Sequence, residues 1–204
     1  MAVTTATITT QGLALLLEQE ITTALSPTIT YVALGTGCGT LSGPILNGSA
    51  YVSLPLAAPL PVAVPSGASL TLINGTNSQT VTEAGGGAPA GATAITVSST
   101  VANHAYPVGS GVVTTPLASD TQLFAEAYRD ATSAIVTGAA AGEAFASLYI
   151  ASPEGATTTY LEVGYFAGSA SATPNSGILV ARAVYWFPHV VNADSAMAQL
   201  DLII

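Results

Sequence analysis

Apolar and polar residues alternate along most of this chain, and the alternation has the two-residue period of a strand rather than the 3.6-residue period of a helix. Residues 1–9 interleave threonine with small apolar side chains and read as an extended arm or edge strand. The one helical stretch comes next. Thr9 or Thr10 can cap it, Leu13, Leu16, Leu17, Glu20 and Ile21 follow at helical spacing, and it ends near Leu25, ahead of Pro27. Thr28-Ile29-Thr30-Tyr31-Val32-Ala33-Leu34 is then a β-branched and aromatic strand that runs into Gly35-Thr36-Gly37-Cys38-Gly39.

The pattern changes over residues 44–64, where Pro44, Pro55, Pro59 and Pro61 exclude helix interiors. A weak repeat follows. Pro65-Ser66-Gly67-Ala68 and Pro89-Ala90-Gly91-Ala92 each lead into an alternating strand, and Pro107-Val108-Gly109-Ser110 is a poorer third copy. Asn74-Gly75 predicts a hairpin between residues 70–73 and 79–82, and Gly85-Gly86-Gly87 reads as a flexible turn. Residues 51–115 are therefore expected to form a compact all-β module of short strands.

After Pro116 the first pattern resumes. Asp120 is placed to cap a short helical turn over residues 121–125. Strands are expected at 134–136, 144–150, 160–166, 178–187 and 196–204, with Gly, Pro and Asn in the connections. The predicted fold class is all-β: an antiparallel β-sandwich with one N-terminal helix, built from residues 1–44 and 116–204, with a small β-domain inserted at 45–115.

Composition narrows the function. Charged residues make up 6% of the chain, against roughly 25% in an average soluble protein. Its formal charge is −9, and its only basic side chains are Arg129 and Arg182. Two arginines cannot neutralise a phosphate backbone, so nucleic-acid binding is excluded as a main role, and docking on an anionic membrane is disfavoured for the same reason. The apolar run from 13 to 17 is too short to span a bilayer. The first residues lack the basic start and long apolar run of a secretion signal, so synthesis in a cytoplasm is expected. A surface of Thr, Ser, Ala, Gly and Asn is solvated but weakly charged, which suits a subunit of an assembly.

Candidate chemistry is sparse. His104 and His189 have no second ligand at metal-binding spacing. Cys38 has no disulfide partner and reads as a small buried apolar residue. The glycines after the first strand lack the Lys-Ser/Thr of a phosphate loop. No Gly-x-Ser-x-Gly elbow is present, and Glu143 and Glu154, a candidate acid pair for glycoside cleavage, have no aromatic cluster around them. No enzyme, metal or cofactor is implied. More informative are Glu126, Arg129, Glu162 and Arg182, charges set in otherwise apolar segments. An arginine can bond a carboxylate through two parallel hydrogen bonds, so these four are expected to form structural ion pairs within the sandwich. Tyr185-Trp186-Phe187 stays open between core packing and a partner surface.

Five motifs occur in a familiar order: Thr9-Thr10-Gln11-Gly12-Leu13; Tyr31-Val32-Ala33-Leu34-Gly35-Thr36-Gly37; Ser119-Asp120-Thr121-Gln122-Leu123 with Glu126 and Arg129; Leu161-Glu162-Val163-Gly164-Tyr165-Phe166; and Gly177-Ile178-Leu179-Val180-Ala181-Arg182. Over residues 8–43 and 117–204 this order resembles the N-terminal domain of tailed-bacteriophage tail-collar fibre and related virion proteins. The family usually joins the Gly-Thr-Gly turn closely to the Asp-Thr segment, whereas here residues 45–115 intervene. The resemblance implies a non-enzymatic virion structural protein of the tail or baseplate, made in the host cytoplasm, that self-associates (a trimer is the natural symmetry) and docks on other virion proteins. The other readings are a capsid cement or decoration protein and a carbohydrate-binding host-recognition module.

Overall fold

The computed structural model describes residues 6–15, 29–132, 134–137, 143–193 and 196–203. Residues 10–15 are helical (α1). Among the described residues the strands are β1 (Thr7–Ile8), β2 (Tyr31–Gly35), β3 (Gly39–Thr40), β4 (Ala50–Pro55), β5 (Ser69–Asn74), β6 (Asn77–Thr82), β7 (Ala94–Val101) and β8 (Gly111–Thr114). They continue with β9 (Glu126–Ala131), β10 (Ala134–Thr137), β11 (Glu143–Ile150), β12 (Thr158–Ala167), β13 (Ile178–His189) and β14 (Ala196–Ile203). The all-β, antiparallel class expected from the alternation is what the structure has. The expected helix beyond residue 15 and the first residues of the arm lie outside the described residues. None of the described helix is long and apolar enough to cross a membrane.

Two antiparallel sheets, β1-β13-β12-β2-β9 and β10-β11-β14, make the sandwich. Val32, Leu34, Val163, Tyr165 and Val180 of the larger sheet pack on Leu148 and Ile150 of the smaller. The central strand β12 is buried continuously from Tyr160 to Ala167. Its Val163 and Tyr165 belong to the sandwich core. Glu162, Gly164 and Phe166 alternate with them and lie under the segment 117–125, whose Leu123 packs with Ala33, Phe166 and Leu179. Bulges between Tyr160 and Glu162 and between Tyr165 and Phe166 adjust which β13 residues face each side.

The helical turn expected over residues 121–125 is absent; the segment is extended and bent. A helix needs its backbone N–H groups for its own carbonyls. Here those of Phe124 and Ala125 donate instead to the Glu162 carboxylate, at 3.1 and 2.9 Å. The chain then enters β9, a strand that the alternation does not announce, because Glu126-Ala127-Tyr128-Arg129-Asp130-Ala131 is an edge strand with little apolar patterning.

The second group of sheets, β3-β8-β5-β6 and β4-β7, closes into a small barrel. Leu41 bridges Leu56 to join β3 to β4, and Glu83 bridges Val97 to join β6 to β7. The order β3-β8-β5-β6-β7-β4 thus returns to β3, which protects edges that would otherwise invite further strands. Its interior holds Leu54, Leu70, Leu72, Val81, Ile95, Tyr106 and Val112, together with Cys38 and Leu41 from before residue 45.

The Pro-x-Gly repeat is a repeated turn. The N–H groups of Ala68, Ala92 and Ser110 donate to the Pro65, Pro89 and Pro107 carbonyls at 3.2, 3.1 and 3.0 Å, with the intervening Gly67, Gly91 and Gly109 at φ of 73°, 86° and 88°. Glycine is the residue that this third turn position favours. A fourth copy, Leu46-Asn47-Gly48-Ser49, has the same bond at 3.0 Å and escapes the sequence pattern because leucine replaces proline. The residues just before the turns pair as Ile45 with Tyr106 and Val64 with Ala88, so the barrel is built from two paired sets of turns. The hairpin expected at Asn74-Gly75 forms one residue later. Asn74 and Asn77 pair, leaving Gly75-Thr76 as the loop with Gly75 at φ 62°.

In three of the four turns the glycine N–H donates to a carbonyl of another segment, at 2.9 Å each: Gly48 to Ala102, Gly91 to Leu60 and Gly109 to Leu41. Gly67 instead donates to the buried carboxylate of Glu83, also at 2.9 Å. Glu83 further accepts the N–H groups of Gly85 and Gly87, so the glycine run read as flexible is tied down. These bonds, Gly67's first, outweigh burial and hold the Glu83 carboxyl below its ordinary 4.5. A lowered folded-state pKa stabilises the fold above the unfolded value, and the contribution is lost as pH falls below about 4.5. Glu83→Gln is therefore expected to lower the melting temperature at neutral pH, with a deficit that shrinks as pH falls below 4.5. Thermal unfolding across a pH series checks this; a deficit that stays constant with pH would rule out the charge as its source.

The barrel sits against the sandwich through Ile73 and Val113 on one side and Leu161 and Val184 on the other, with Trp186 beside them. A Cβ on Gly111 would fall on the Leu161 side chain, which would have to move to admit it. Tyr185 and Phe187 pack on the sandwich core. The aromatic triplet is thus engaged in core and seam.

Candidate functional site

The charges singled out in the sequence fall into two clusters on the outer face of the larger sheet, one beneath residues 117–125 and one where β9 meets Phe166. At the centre of the first, Glu162 of β12 is fully buried and Arg182 of β13 is 2% exposed. Their strands are hydrogen-bonded neighbours. Arg182 Nε and Nη2 both reach Glu162 Oε2, at 2.8 and 2.6 Å. Nη1 bonds Asp120 Oδ2 at 2.6 Å, and Nη2 donates to the carbonyl and Oγ1 of Thr114, at 3.2 and 2.7 Å. One guanidinium therefore links the sandwich, the last strand of the barrel and the returning segment. The Glu162 carboxylate takes the Phe124 and Ala125 N–H groups as well, so its charge is met from both sides. Gly35 opposite has to be glycine, since a Cβ there would fall on Glu162 Oε1 and the Ala125 carbonyl.

The second cluster is Glu126 with Arg129, a parallel two-bond pair at 2.7 and 2.8 Å. The Arg129 guanidinium lies 4.0 Å from the Phe166 ring centroid, and its Nη1 donates to the Ser171 and Ser176 carbonyls. Glu126 also accepts the Asn175 N–H at 3.0 Å. This cluster pins the β12–β13 loop to β9.

The structure brings Glu162 to Arg182 and Glu126 to Arg129. Asp120 is the member that sequence reasoning misassigned, as a helix cap. Its carboxylate does cap locally, accepting the Leu117 N–H at 2.9 Å, but the same oxygen takes Arg182. Thr114, at the end of the barrel, carried no signal at all.

The Cys38 thiol is buried and pushed up to about 12, chiefly by burial with the Glu162 charge adding to it, so it stays protonated at neutral pH. His189 is buried beside Tyr160 and Phe187. Its Nε2 lies 2.8 Å from the Glu154 carbonyl, an acceptor, which makes Nε2 the protonated nitrogen. His104 is exposed. Glu154 accepts its own loop's Ala151 N–H at 2.9 Å, and Glu143 opens β11. Among the described residues no three His, Cys, Asp or Glu side chains converge to hold a metal ion. Beside the Arg182 cluster, between barrel and returning segment, lies a cleft of about 320 Å³.

No protein-family model, curated protein or solved structure matches this chain.

Proposed function

We propose that this protein is a non-enzymatic structural subunit of a tailed-phage virion, placed in the tail or baseplate, where the sandwich docks on neighbouring virion proteins and the barrel projects. One observation carries the reading. The motifs that resemble the tail-collar family are scattered along the chain, yet their charged residues converge: Asp120, Glu162 and Arg182 in one cluster, Glu126 and Arg129 in the other. Both arginine side chains are 3% exposed, and their bonds are internal. That use of charge suits a part that must hold its shape, and the sparsely charged exterior suits packing against other subunits.

The test is mass spectrometry and labelled-antibody electron microscopy on purified virions of the phage that encodes the chain. Label at the tail with a few to tens of copies is the expected result. Hundreds of copies over the head would move the assignment to capsid decoration, and absence from purified virions would overturn both.

A further inference from the structure

We propose that the cleft between the barrel and the returning segment is a binding site for a neutral sugar residue. At about 320 Å³ it falls at the small end of ligand pockets and is too narrow for a folded partner. The proposal goes beyond the structural role and does not depend on it.

The cleft has an apolar flank and a polar rim. Val62 and Leu117, both lining it, are 44% and 53% exposed, and Pro65 lies with them. Ser119, Thr121 and Gln122, which also line it, are exposed, with no hydrogen bond from their side chains to the rest of the described chain. Asp120 offers the fixed acceptor. Its Oδ2 is occupied by Arg182 and the Leu117 N–H, while Oδ1 has no partner within the described chain and the side chain is 19% exposed. The buried guanidinium holds that carboxylate in place before any ligand arrives, which lowers the ordering cost of binding.

Charge decides the ligand class. The only cation lining the cleft, Arg182, is already matched by both Glu162 and Asp120. A phosphate, carboxylate or sulfate would meet net negative charge with no free cation to neutralise it. A ligand that fits must give a hydrogen-bond donor to Asp120 Oδ1, exchange further hydrogen bonds with the rim, and lay an apolar side against Val62 and Leu117. A neutral pyranose combines these features, with hydroxyls around its edge and C–H groups on its face.

Saturation-transfer NMR on the full chain tests this, using glucose, galactose, mannose and N-acetylglucosamine as probes, with glucuronate and a lysine-bearing peptide as charged comparisons. At least one neutral sugar is expected to bind. Its affinity should fall about tenfold or more, equivalent to about 1.4 kcal/mol, in both Gln122→Ala and Leu117→Trp, the second of which fills the cleft. Both positions are exposed, so their melting temperatures should match the parent and any loss reports on the cleft. No transfer from any neutral sugar, tighter binding of glucuronate or the peptide, or sugar binding unchanged in both variants would each overturn the proposal.

Discussion

Arg182→Met is expected to lower the melting temperature by about 6–20 °C. Removing one partner of a buried ion pair costs about 3–5 kcal/mol, because the other charge stays behind in a place where water cannot reach it. For a chain of this size each kcal/mol corresponds to roughly 2–4 °C. Glu162, fully buried, would keep the Phe124 and Ala125 N–H groups but lose its only counter-charge. Thr114 and Asp120 would lose their link to the sheet, so the barrel and the returning segment should loosen together. The diagnostic comparison is the double variant Glu162→Gln/Arg182→Met, in which no charge is left stranded. It is expected to melt above Arg182→Met alone, a non-additivity that marks direct coupling. Thermal unfolding of the parent, Arg182→Met, Glu162→Gln and the double variant decides it. A single variant within 2 °C of the parent, on a scale of roughly 2–4 °C per kcal/mol, or strictly additive losses would show that the cluster does not hold the fold.

Gly12→Ala carries the second large effect, and its sign is the test. In an exposed helix this change stabilises by about 1 kcal/mol, since alanine is the better helix former. Here a Cβ on Gly12 would fall on the carbonyl oxygen and Cα of Val180 in β13. Neither side can give way cheaply. Thr9 caps α1 through the Gly12 N–H at 2.9 Å, and its own N–H and hydroxyl bond the Val180 and Leu179 carbonyls. The Thr10 N–H donates to Ala118 of the returning segment. The helix start is thus fastened to backbone on two sides, and inserting a methyl group there costs about 1–3 kcal/mol, or about 2–12 °C. Faster amide exchange confined to residues 6–15 should accompany the loss. A melting temperature equal to or above the parent's would mean that the close approach to β13 is not maintained in solution.

Much of the candidate site was legible because charge is so rare in this chain. Glu162 and Arg182 stand out as ions inside apolar strands, and each needs a counter-charge if it is buried. Which acid meets which arginine is another matter. Asp120 lies 62 residues from Arg182 and has an ordinary local role to suggest, a cap for a helical turn over residues 121–125. Glu83 gave no warning either: its three N–H partners are spread over two turns, and only folding brings Gly67 to the glycine run after it. Chemistry of the Cys38 kind is settled by burial, which the order of residues around it does not state.

The sequence alone determined the strands of the sandwich other than β9, and three of the four barrel turns. The β-branched and aromatic runs of β11 to β13, bounded by Gly, Pro and Asn, and the Pro-x-Gly spacing act within a few residues, through strand propensity and backbone φ, so they can be read locally. Tertiary structure decided everything that depends on a distant partner. It made β9 a strand by offering it the free edge of β2. It closed the barrel through Leu41 with Leu56 and Glu83 with Val97. It also kept residues 121–125 out of a helix, because a carboxylate 37 and 38 residues later in the chain took two of the N–H groups that the helix required. A buried charge must be satisfied wherever the fold places it, and that demand overrode the local preference for a capped turn.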